Sequence, residues 1–216
     1  MNLVQIEARD LSEAWFLCLR ECMARGRVYE ITRGSFVGSR RRELDSVTLA
    51  VKHPSVRPLV PDVPIGVPAP CSMDYVESYL PYLMTSAKAP NELYTYGEDI
   101  EFQLPEFIRI LREAGDGTNQ ACMNVGDKGS IFLEHSQCLR IIDARVRGGQ
   151  LCFYTYFRSW DLWAGFPANL AALQLLKEYV AGEVGVDDGE LVAYSKGLHV
   201  YEYCWELALR VLGREA

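Results

Sequence analysis

The stretch that decides the fold is CLRIIDARVRGGQLCFYTYFRSWDLWAGFPAN, residues 138–169. Within it, residues 139–146 and 151–157 alternate apolar and polar side chains on either side of an RGGQ turn. An alternation of period two is typical of β-strands, and a glycine pair between two such runs is typical of a tight turn. This stretch therefore predicts a β-hairpin.

A helix is expected directly after the hairpin. Pro167 suits the first turn of a helix, where its missing N–H is not needed. Apolar residues then recur at helical spacing, namely Leu170, Leu173, Leu176, Val180 and Val184. The polar residues 158–161 therefore stand at the junction between the hairpin and the helix.

Hydrophobic periodicity predicts further elements on both sides of this core. Strands are expected at residues 3–6, 29–32, 46–52, 120–124, 191–194 and 198–201. One helix is expected to begin after Asp10, which forms a capping box with Glu13 and would end at Gly26. Other helices are expected at residues 73–84, 102–112 and 202–212.

Six prolines lie between residues 54 and 70, a density that excludes a helix or a central strand. The segment could link two domains or form a packed loop. A packed loop is favoured because Val, Ile and Leu alternate with the prolines, and neither flank is large enough for a full domain. Residues 1–216 are therefore predicted to form a single domain.

Bulk composition narrows the classes of function. The formal net charge of −7 argues against a broad surface for nucleic acid, although a local anion site remains compatible with it. Three His and seven Cys show no zinc-ligand spacing, and Cys18 and Cys22 lie on an apolar helix face as buried thiols. The odd cysteine count and the absence of a signal peptide predict a cytoplasmic protein. The sequence contains no run of about 18 apolar residues, so no membrane-spanning helix is predicted.

Several polar residues in the core stretch have chemistry of their own. Cys138 could be a nucleophile or a packed core thiol. Arg158 and Ser159 together suit a phosphate, or could form a surface ion pair. Arginine near Cys138 would favour the thiolate, which is the reactive form.

Three residues further along could contact the rest of a nucleotide. Asn169 offers a donor and an acceptor, and so could bind the edge of a base such as uracil, or it could cap a helix. His199 and Tyr201 lie on one face of a strand, where they could hold a sugar hydroxyl or form a half-buried aromatic pair.

Taken together, these residues resemble one family. RSWDLWAGFPAN, residues 158–169, resembles the R-S-x-D-x-x-x-G-x-P-x-N signature of thymidylate synthases. Cys138 stands 20 residues before Arg158, where that family has its nucleophile. The segments HVY (199–201) and YTYG (94–97) resemble the family's H-x-Y and Y-G elements. The resemblance covers residues 94–205 well and is looser before them.

The resemblance implies catalytic roles at the matching positions. Cys138 would attack C6 of the pyrimidine, and Asn169 would pair with the uracil edge. Tyr96 would assist removal of the C5 proton through ordered water. Glu77 would be the catalytic glutamate, because residues 77–83 resemble the family's E-L-L-x-x-L helix.

It also implies roles in binding. The phosphate would be held by Arg158 and Ser159, with Arg33 as the amino-terminal phosphate arginine. His199 and Tyr201 would hold the 3′-hydroxyl of the deoxyribose. Asp161 would contact the pterin of the folate, next to Gly165.

As a whole, the resemblance implies an α+β layered fold, with a mixed twisted sheet covered by helices and a sheet-mediated homodimer. The implied activity is that of a methyltransferase, which converts dUMP to dTMP with 5,10-methylenetetrahydrofolate or a modified archaeal folate analogue. No metal, nucleic acid polymer or membrane is expected to take part. The length and the loose amino-terminal half resemble the compact archaeal-type branch.

The sequence also departs from the family pattern. Gln137 stands where the family has proline, Leu139 replaces a common histidine, and Phe157 replaces a glutamine. The arginine pair that a partner subunit donates to the phosphate is not found, and only 15 residues follow Tyr201, where most members continue into a closing tail. The run Arg40-Arg41-Arg42 could substitute for that pair, or it could be a solvated basic turn.

Two alternatives to the synthase remain at this point. One is a pyrimidine nucleotide hydroxymethylase of the same fold, in which water instead of hydride quenches the intermediate. Asn169 favours uracil, because the related cytosine enzymes resemble this pattern with Asp. The other is a non-catalytic nucleotide-binding homologue. The missing arginine pair and the missing tail favour this alternative, whereas the presence of Cys138, Arg158 and Asn169 argues against it.

Overall fold

The computed structural model describes residues 1, 3–90 and 92–213, and within these it contains two β-sheets and five α-helices. The strands are Leu3–Ala8 (β1), Arg27–Glu30 (β2), Arg40–Leu44 (β3), Ser46–Val51 (β4), Cys122–Asn124 (β5), Leu139–Arg147 (β6), Gln150–Phe157 (β7), Trp160–Asp161 (β8), Asp187–Ser195 (β9) and Leu198–Tyr201 (β10). The helices are Leu11–Arg25 (α1), Met73–Met84 (α2), Gly97–Ala114 (α3), Gly165–Val184 (α4) and Trp205–Val211 (α5).

The larger sheet has six strands in the order β1-β4-β9-β7-β6-β5 and mixes parallel with antiparallel pairs. The predicted hairpin is confirmed as the antiparallel pair β6–β7, and Gly148 and Gly149 have positive φ in its turn. Side chains of β7 alternate as predicted: Leu151 and Phe153 are buried, whereas Tyr154 is half-buried on the opposite face. The mixed α+β architecture is confirmed.

The smaller sheet has the order β2-β3-β10-β8. Strand β3 was not predicted, because its first three residues are arginines and charged runs are typical of turns. It is stable as a strand because it pairs antiparallel with both β2 and β10. The interpretation of Arg40-Arg41-Arg42 as a turn is therefore wrong.

The amino-terminal helix follows its sequence signals closely. Asp10 is the N-cap of α1, and its Oδ1 accepts a hydrogen bond of 2.9 Å from the backbone N of Glu13. Cys18 and Cys22 are buried, and burial raises the pKa of the Cys22 thiol to about 12. Both are therefore protonated core residues, as their spacing predicts.

The proline-rich segment packs onto the rest of the chain. Residues 52–72, all of them described, form turns and bends, and Leu59, Val67 and Cys71 among them are buried. They belong to one apolar cluster that extends from Val4 to Ala208. The assignment of residues 1–216 to a single domain stays a prediction. Among the described helices, none is both long and apolar enough to cross a membrane.

Helix α4 lies at the centre of the molecule, in contact with the other long helices and with β7 and β9. It carries a fully buried lysine, Lys177, whose Nζ lies 3.3 Å from Oδ1 of Asp188 and donates to the carbonyl oxygen of Gly189. Burial lowers the pKa of Lys177, while Asp188 opposes that shift. The ion pair therefore compensates a charge that has no access to water.

Replacing Asp188 by asparagine is expected to destabilise the protein by about 3 kcal/mol, because the change leaves the buried Lys177 charge without its counter-ion. Urea-induced unfolding measures this loss. The matched control is Lys52→Gln, which breaks the exposed pair of Lys52 with Glu190 and should cost less than about 1 kcal/mol. Equal stability of the two variants would contradict this account of the buried pair.

Candidate active site

A cavity of about 470 Å³ opens between the smaller sheet and the segment that precedes β6. Four cationic side chains line it, those of Arg33, Arg41, Arg158 and Lys196, against two acidic ones, Glu43 and Glu134. The cavity is thus locally positive in a chain whose formal net charge is −7. A small anion is the ligand that such a site attracts.

Cys138 is the nucleophile candidate in this cavity. It is half-buried, immediately before β6, and Ser136 lines the cavity beside it. Arg158, just after β7, fixes this segment: its Nε donates to the carbonyl oxygen of Gln137 at 3.1 Å and its Nη2 to that of Ser136 at 2.5 Å. The backbone N of Arg158 also donates to the carbonyl oxygen of Cys138 at 2.9 Å. Arg158 therefore holds the backbone on which the thiol is mounted.

The thiol of Cys138 is harder to ionise than the arginines alone would suggest. Burial raises its pKa, and the positive charges of Arg158 and Arg41 only partly offset that effect. Arg158 does act in the predicted direction. The net pKa of Cys138 is nevertheless raised, because desolvation of the half-buried sulfur outweighs the two charges.

Asn169 is held firmly by two aromatic residues. Nε1 of Trp160 donates to its Oδ1 at 2.9 Å, and its Nδ2 donates to the hydroxyl of Tyr79 at 2.8 Å. These bonds determine which end of the carboxamide is oxygen. Asn169 lies inside α4, which begins at Gly165, so the alternative in which it caps the helix is wrong.

A cluster of tyrosines lies beside Cys138. The ring centroids of neighbouring members are 5.2 to 6.3 Å apart, in a set formed by Tyr79, Tyr82, Tyr94 and Tyr96. The hydroxyl of Tyr96 accepts a hydrogen bond of 3.4 Å from the backbone N of Leu139, the residue after the nucleophile. Burial raises the pKa of Tyr96 well above its ordinary value, so this hydroxyl keeps its proton.

The structure does not bring Glu77 into this cluster. Tyr75, Tyr79 and Tyr82 share one face of α2, because they are spaced by four and three residues. Glu77 lies two residues from Tyr79, points to another side of the helix and is exposed. Tyr79, and not Glu77, contacts Asn169. The spacing of three residues between Tyr79 and Tyr82 was the sequence signal that could have predicted an aromatic face on this helix.

Asp161 and Gly165 lie in the turn that leads into α4. The carboxylate of Asp161 accepts from the backbone N of Trp163, Ala164 and Gly165 at 3.1 to 3.3 Å, and so caps the start of α4. Burial raises the pKa of Asp161, although these three bonds counteract the shift. Among the predicted site residues, the described lining of the cavity does not include Asp161, Gly165, Glu77, Tyr96, Asn169 or His199.

His199 and Tyr201 do come together on β10, with ring centroids 4.8 Å apart. Burial lowers the pKa of His199 to about 4, so the imidazole is neutral near pH 7. Its Nδ1 lies 2.9 Å from the carbonyl oxygen of Gly197 and must therefore carry the proton. Nε2 is then an acceptor, and it is buried without a partner among the described residues. Such an atom suits a hydroxyl donor.

The remaining predicted binding residues, Arg33 and Ser159, both line the cavity as expected. Sequence reasoning missed Lys196, Glu43 and Tyr94, which line it as well. Within the described ranges, no three His, Cys, Asp or Glu side chains are grouped so as to hold a metal ion.

A cationic cavity with a cysteine at its wall suits a thiol nucleophile that acts on an anionic substrate. Comparison with known proteins points to one family. The profile of the thymidylate synthase family matches residues 123–216. The carboxy-terminal part of the chain is thus similar to the thymidylate synthase family.

Similar proteins of two archaea carry the name "Putative thymidylate synthase". One from Methanosarcina acetivorans is 27% identical over 214 residues, covering 96% of this chain and 94% of the relative. Another from Methanothermobacter marburgensis is 24% identical over 222 residues, covering 96% and 97%. The similarity thus includes the amino-terminal half, where the motifs are loosest.

Proposed function

We propose that the protein converts dUMP and 5,10-methylenetetrahydrofolate, or a modified folate analogue, into dTMP and the dihydro form of the folate. The observation that supports this most strongly is the clamp of Arg158 on the segment that carries Cys138. The clamp places a thiol at the wall of a cationic cavity. Tyr79, which interacts electrostatically with Cys138, binds the carboxamide of Asn169, whose orientation is fixed.

The nucleotide would be bound at three points. Arg33, Arg158 and Ser159 would hold the phosphate through charge-assisted hydrogen bonds. The buried Nε2 of His199 would accept a hydrogen bond from the sugar hydroxyl, and Tyr201 closes that end of the cavity. Asn169 would receive the uracil edge, with its amide nitrogen toward O4 and its oxygen toward N3–H.

The covalent step forms a bond between Sγ of Cys138 and C6 of the uracil. Electron density moves to C5 and O4, where the Nδ2 of Asn169 stabilises the developing charge. C5 would then bond to the methylene carbon of the folate as the bond from that carbon to a folate nitrogen breaks, and the folate would also supply the hydride that completes the methyl group. The proton on C5 leaves through ordered water next to the hydroxyl of Tyr96. When the thiol leaves, the C5–C6 double bond is restored and Cys138 is free again.

The family uses a folate co-substrate, and the described residues offer it an apolar surface. Ile131 and Leu133 line the cavity, and Ile131 is largely exposed. The apolar edge that these two residues form suits one face of an aromatic ring system. Asp161, whose carboxylate caps α4, would contact the pterin of the folate, with Gly165 in the same turn.

Replacing Tyr79 by phenylalanine is expected to lower kcat/KM for dUMP roughly five- to tenfold, equivalent to about 1 kcal/mol for one hydrogen bond. The ring stays in place, but the Nδ2 of Asn169 loses its acceptor and the carboxamide can turn. Steady-state kinetics measures the change. The control is Tyr75→Phe on the same helix, because Tyr75 is more than half exposed and stacks on Tyr79. An equal effect in both variants would remove the positioning role of Tyr79.

The reaction can be tested by product analysis. The protein is incubated with dUMP, dCMP or CMP and the methylene form of either folate type, and both dihydrofolate absorbance and nucleotide mass are recorded. The proposal expects dTMP with one equivalent of dihydrofolate from dUMP. A hydroxymethyl nucleotide without dihydrofolate would replace it with the hydroxymethylase. Nucleotide binding without any product would leave a binding protein.

We also propose that the protein is a homodimer. The face of the larger sheet away from the helices carries half-buried side chains, among them Ile141, Tyr154, Tyr156 and Val192, and the exposed Tyr194. A second copy of this face could cover them, in the sheet-to-sheet manner that the resemblance implies. Light scattering at micromolar concentration tests this, and a monomeric mass would contradict it.

A further inference from the structure

The three consecutive arginines of β3 do not act alike. Successive side chains of a strand point to opposite faces, so Arg40 and Arg42 share one face and Arg41 has the other. The guanidinium groups of Arg40 and Arg42 lie 5.5 and 5.4 Å from the ring of Trp205. Arg40 also pairs with Glu202, and Arg42 donates to the carbonyl oxygen of Met23 at 2.6 Å. Arg41 lines the cavity.

Arg41 is held in place by two neighbours. Its Nε donates to the hydroxyl of Tyr29 at 2.5 Å, and its Nη2 lies 3.0 Å from Oε2 of Glu43. The hydroxyl of Tyr29 in turn donates to the same Oε2 at 2.9 Å. The guanidinium also lies 4.9 Å from the centroid of the Tyr29 ring. Only 21% of the Arg41 side chain is exposed, so this cation is ordered and partly desolvated before any ligand arrives.

The strand register places Arg41 within the nucleotide site. Arg41 is directly opposite Tyr29 on β2 and directly opposite Tyr201 on β10. Its charge acts on the same two groups as that of Arg158, namely Cys138 and His199. Tyr29 and Glu43 engage Nε and Nη2 of Arg41, and Tyr201 also interacts with its guanidinium. A guanidinium has five N–H donors, so these contacts do not use all of them. The cavity is lined by four cationic and two acidic side chains, so it keeps a net positive charge although Glu43 pairs with Arg41.

We propose that Arg41 binds the phosphate of the nucleotide, together with Arg33 and Arg158 of the same chain. This inference rests on the proposed function, in which the substrate is a nucleoside monophosphate. Tyr29 and Glu43 hold the guanidinium in advance, so little side-chain entropy is lost on binding. The phosphate contacts would then be complete within one chain, in place of the partner-donated arginines that the resemblance implies.

The test is calorimetric binding of three probes, dUMP, deoxyuridine and inorganic phosphate, to the wild type and to Arg41→Gln. The proposal expects Arg41→Gln to weaken dUMP and phosphate by roughly 10- to 100-fold, because a charged hydrogen bond is lost, while deoxyuridine is unaffected. The affinity of Arg41→Lys for dUMP and phosphate should lie between those of the wild type and Arg41→Gln, because lysine keeps the positive charge but lacks the forked donors of a guanidinium. The matched control is Arg40→Gln, which alters the adjacent residue on the other face and should bind all probes as the wild type does.

The outcomes separate this inference from the proposed function. Unchanged dUMP and phosphate affinities in Arg41→Gln would overturn the role of Arg41 and leave the synthase intact. Equal weakening of dUMP and deoxyuridine would show a structural role, and would also overturn it. Weaker phosphate binding in a protein that does not bind dUMP would uphold the anion site and overturn the proposed substrate. A wild type that binds none of the probes would overturn both.

Discussion

Replacing Cys138 by alanine is expected to abolish dTMP formation, with a loss in turnover on the order of 10⁴-fold or more, as for the removal of other enzyme nucleophiles. Without the sulfur, C6 has no nucleophile and C5 is never activated. Because burial raises the pKa of this thiol, wild-type activity should increase with pH through and above neutrality, where more of the thiol ionises. Initial rates measured against pH test both statements.

The control for this variant is Cys122→Ala, which removes an exposed thiol on β5 outside the cavity. It should retain wild-type turnover. If Cys138→Ala still formed dTMP at more than about a tenth of the wild-type rate, addition at C6 would not pass through this thiol.

Replacing Arg158 by lysine is expected to lower kcat/KM for dUMP by roughly 100-fold or more, because a lysine cannot reproduce the forked contact to two carbonyl oxygens. The segment of Ser136 and Gln137 would lose both side-chain donors, so the thiol would be less precisely placed. The pKa of Cys138 should change little, since lysine keeps the positive charge. Steady-state kinetics and pH-dependent alkylation of Cys138 separate these two effects.

Arg147→Lys serves as the control for Arg158→Lys. Arg147 is exposed at the end of the β6–β7 hairpin and donates to the carbonyl oxygen of Asp116, outside the cavity. This variant should keep normal kinetics. If Arg158→Lys behaved like it, the clamp would not be what positions the nucleophile.

Much of the central part of the fold was predictable from the sequence. The alternation in β7, the glycine turn and the apolar stripe of α4 each have a strong local signal, and all three are confirmed. The positions of Cys138 and Arg158 on either side of the hairpin follow from this, because the two strands pair and bring their open ends together.

Other parts depend on contacts between distant segments. Strand β3 has no local signal, since its arginines are stable in a strand only through pairing with β2 and β10. The placement of Tyr79 beside Asn169 depends on how α2 packs on α4, which the spacing of the tyrosines alone does not specify. The raised pKa of Cys138 likewise reflects burial, which a sequence does not display.

Two features explain why the site lies where it does. The smaller sheet carries Arg41, Glu43, His199 and Tyr201 in adjacent rows, because β3 and β10 are paired in register. The hairpin brings Arg158 to the segment that carries Cys138, and Tyr79 connects that segment with Asn169 on α4. The nucleotide would lie between these two groups, with its phosphate toward the arginines and its base toward Asn169.

The most direct test of this account is the intact mass of the protein after incubation with 5-fluoro-dUMP and the methylene folate. Fluorine at C5 cannot leave as a proton does, so the covalent state should accumulate. We expect one adduct per chain that contains both the nucleotide analogue and the folate, attached to the peptide that contains Cys138, and no adduct in Cys138→Ala. An unmodified wild-type mass, or an adduct on any other residue, would contradict it.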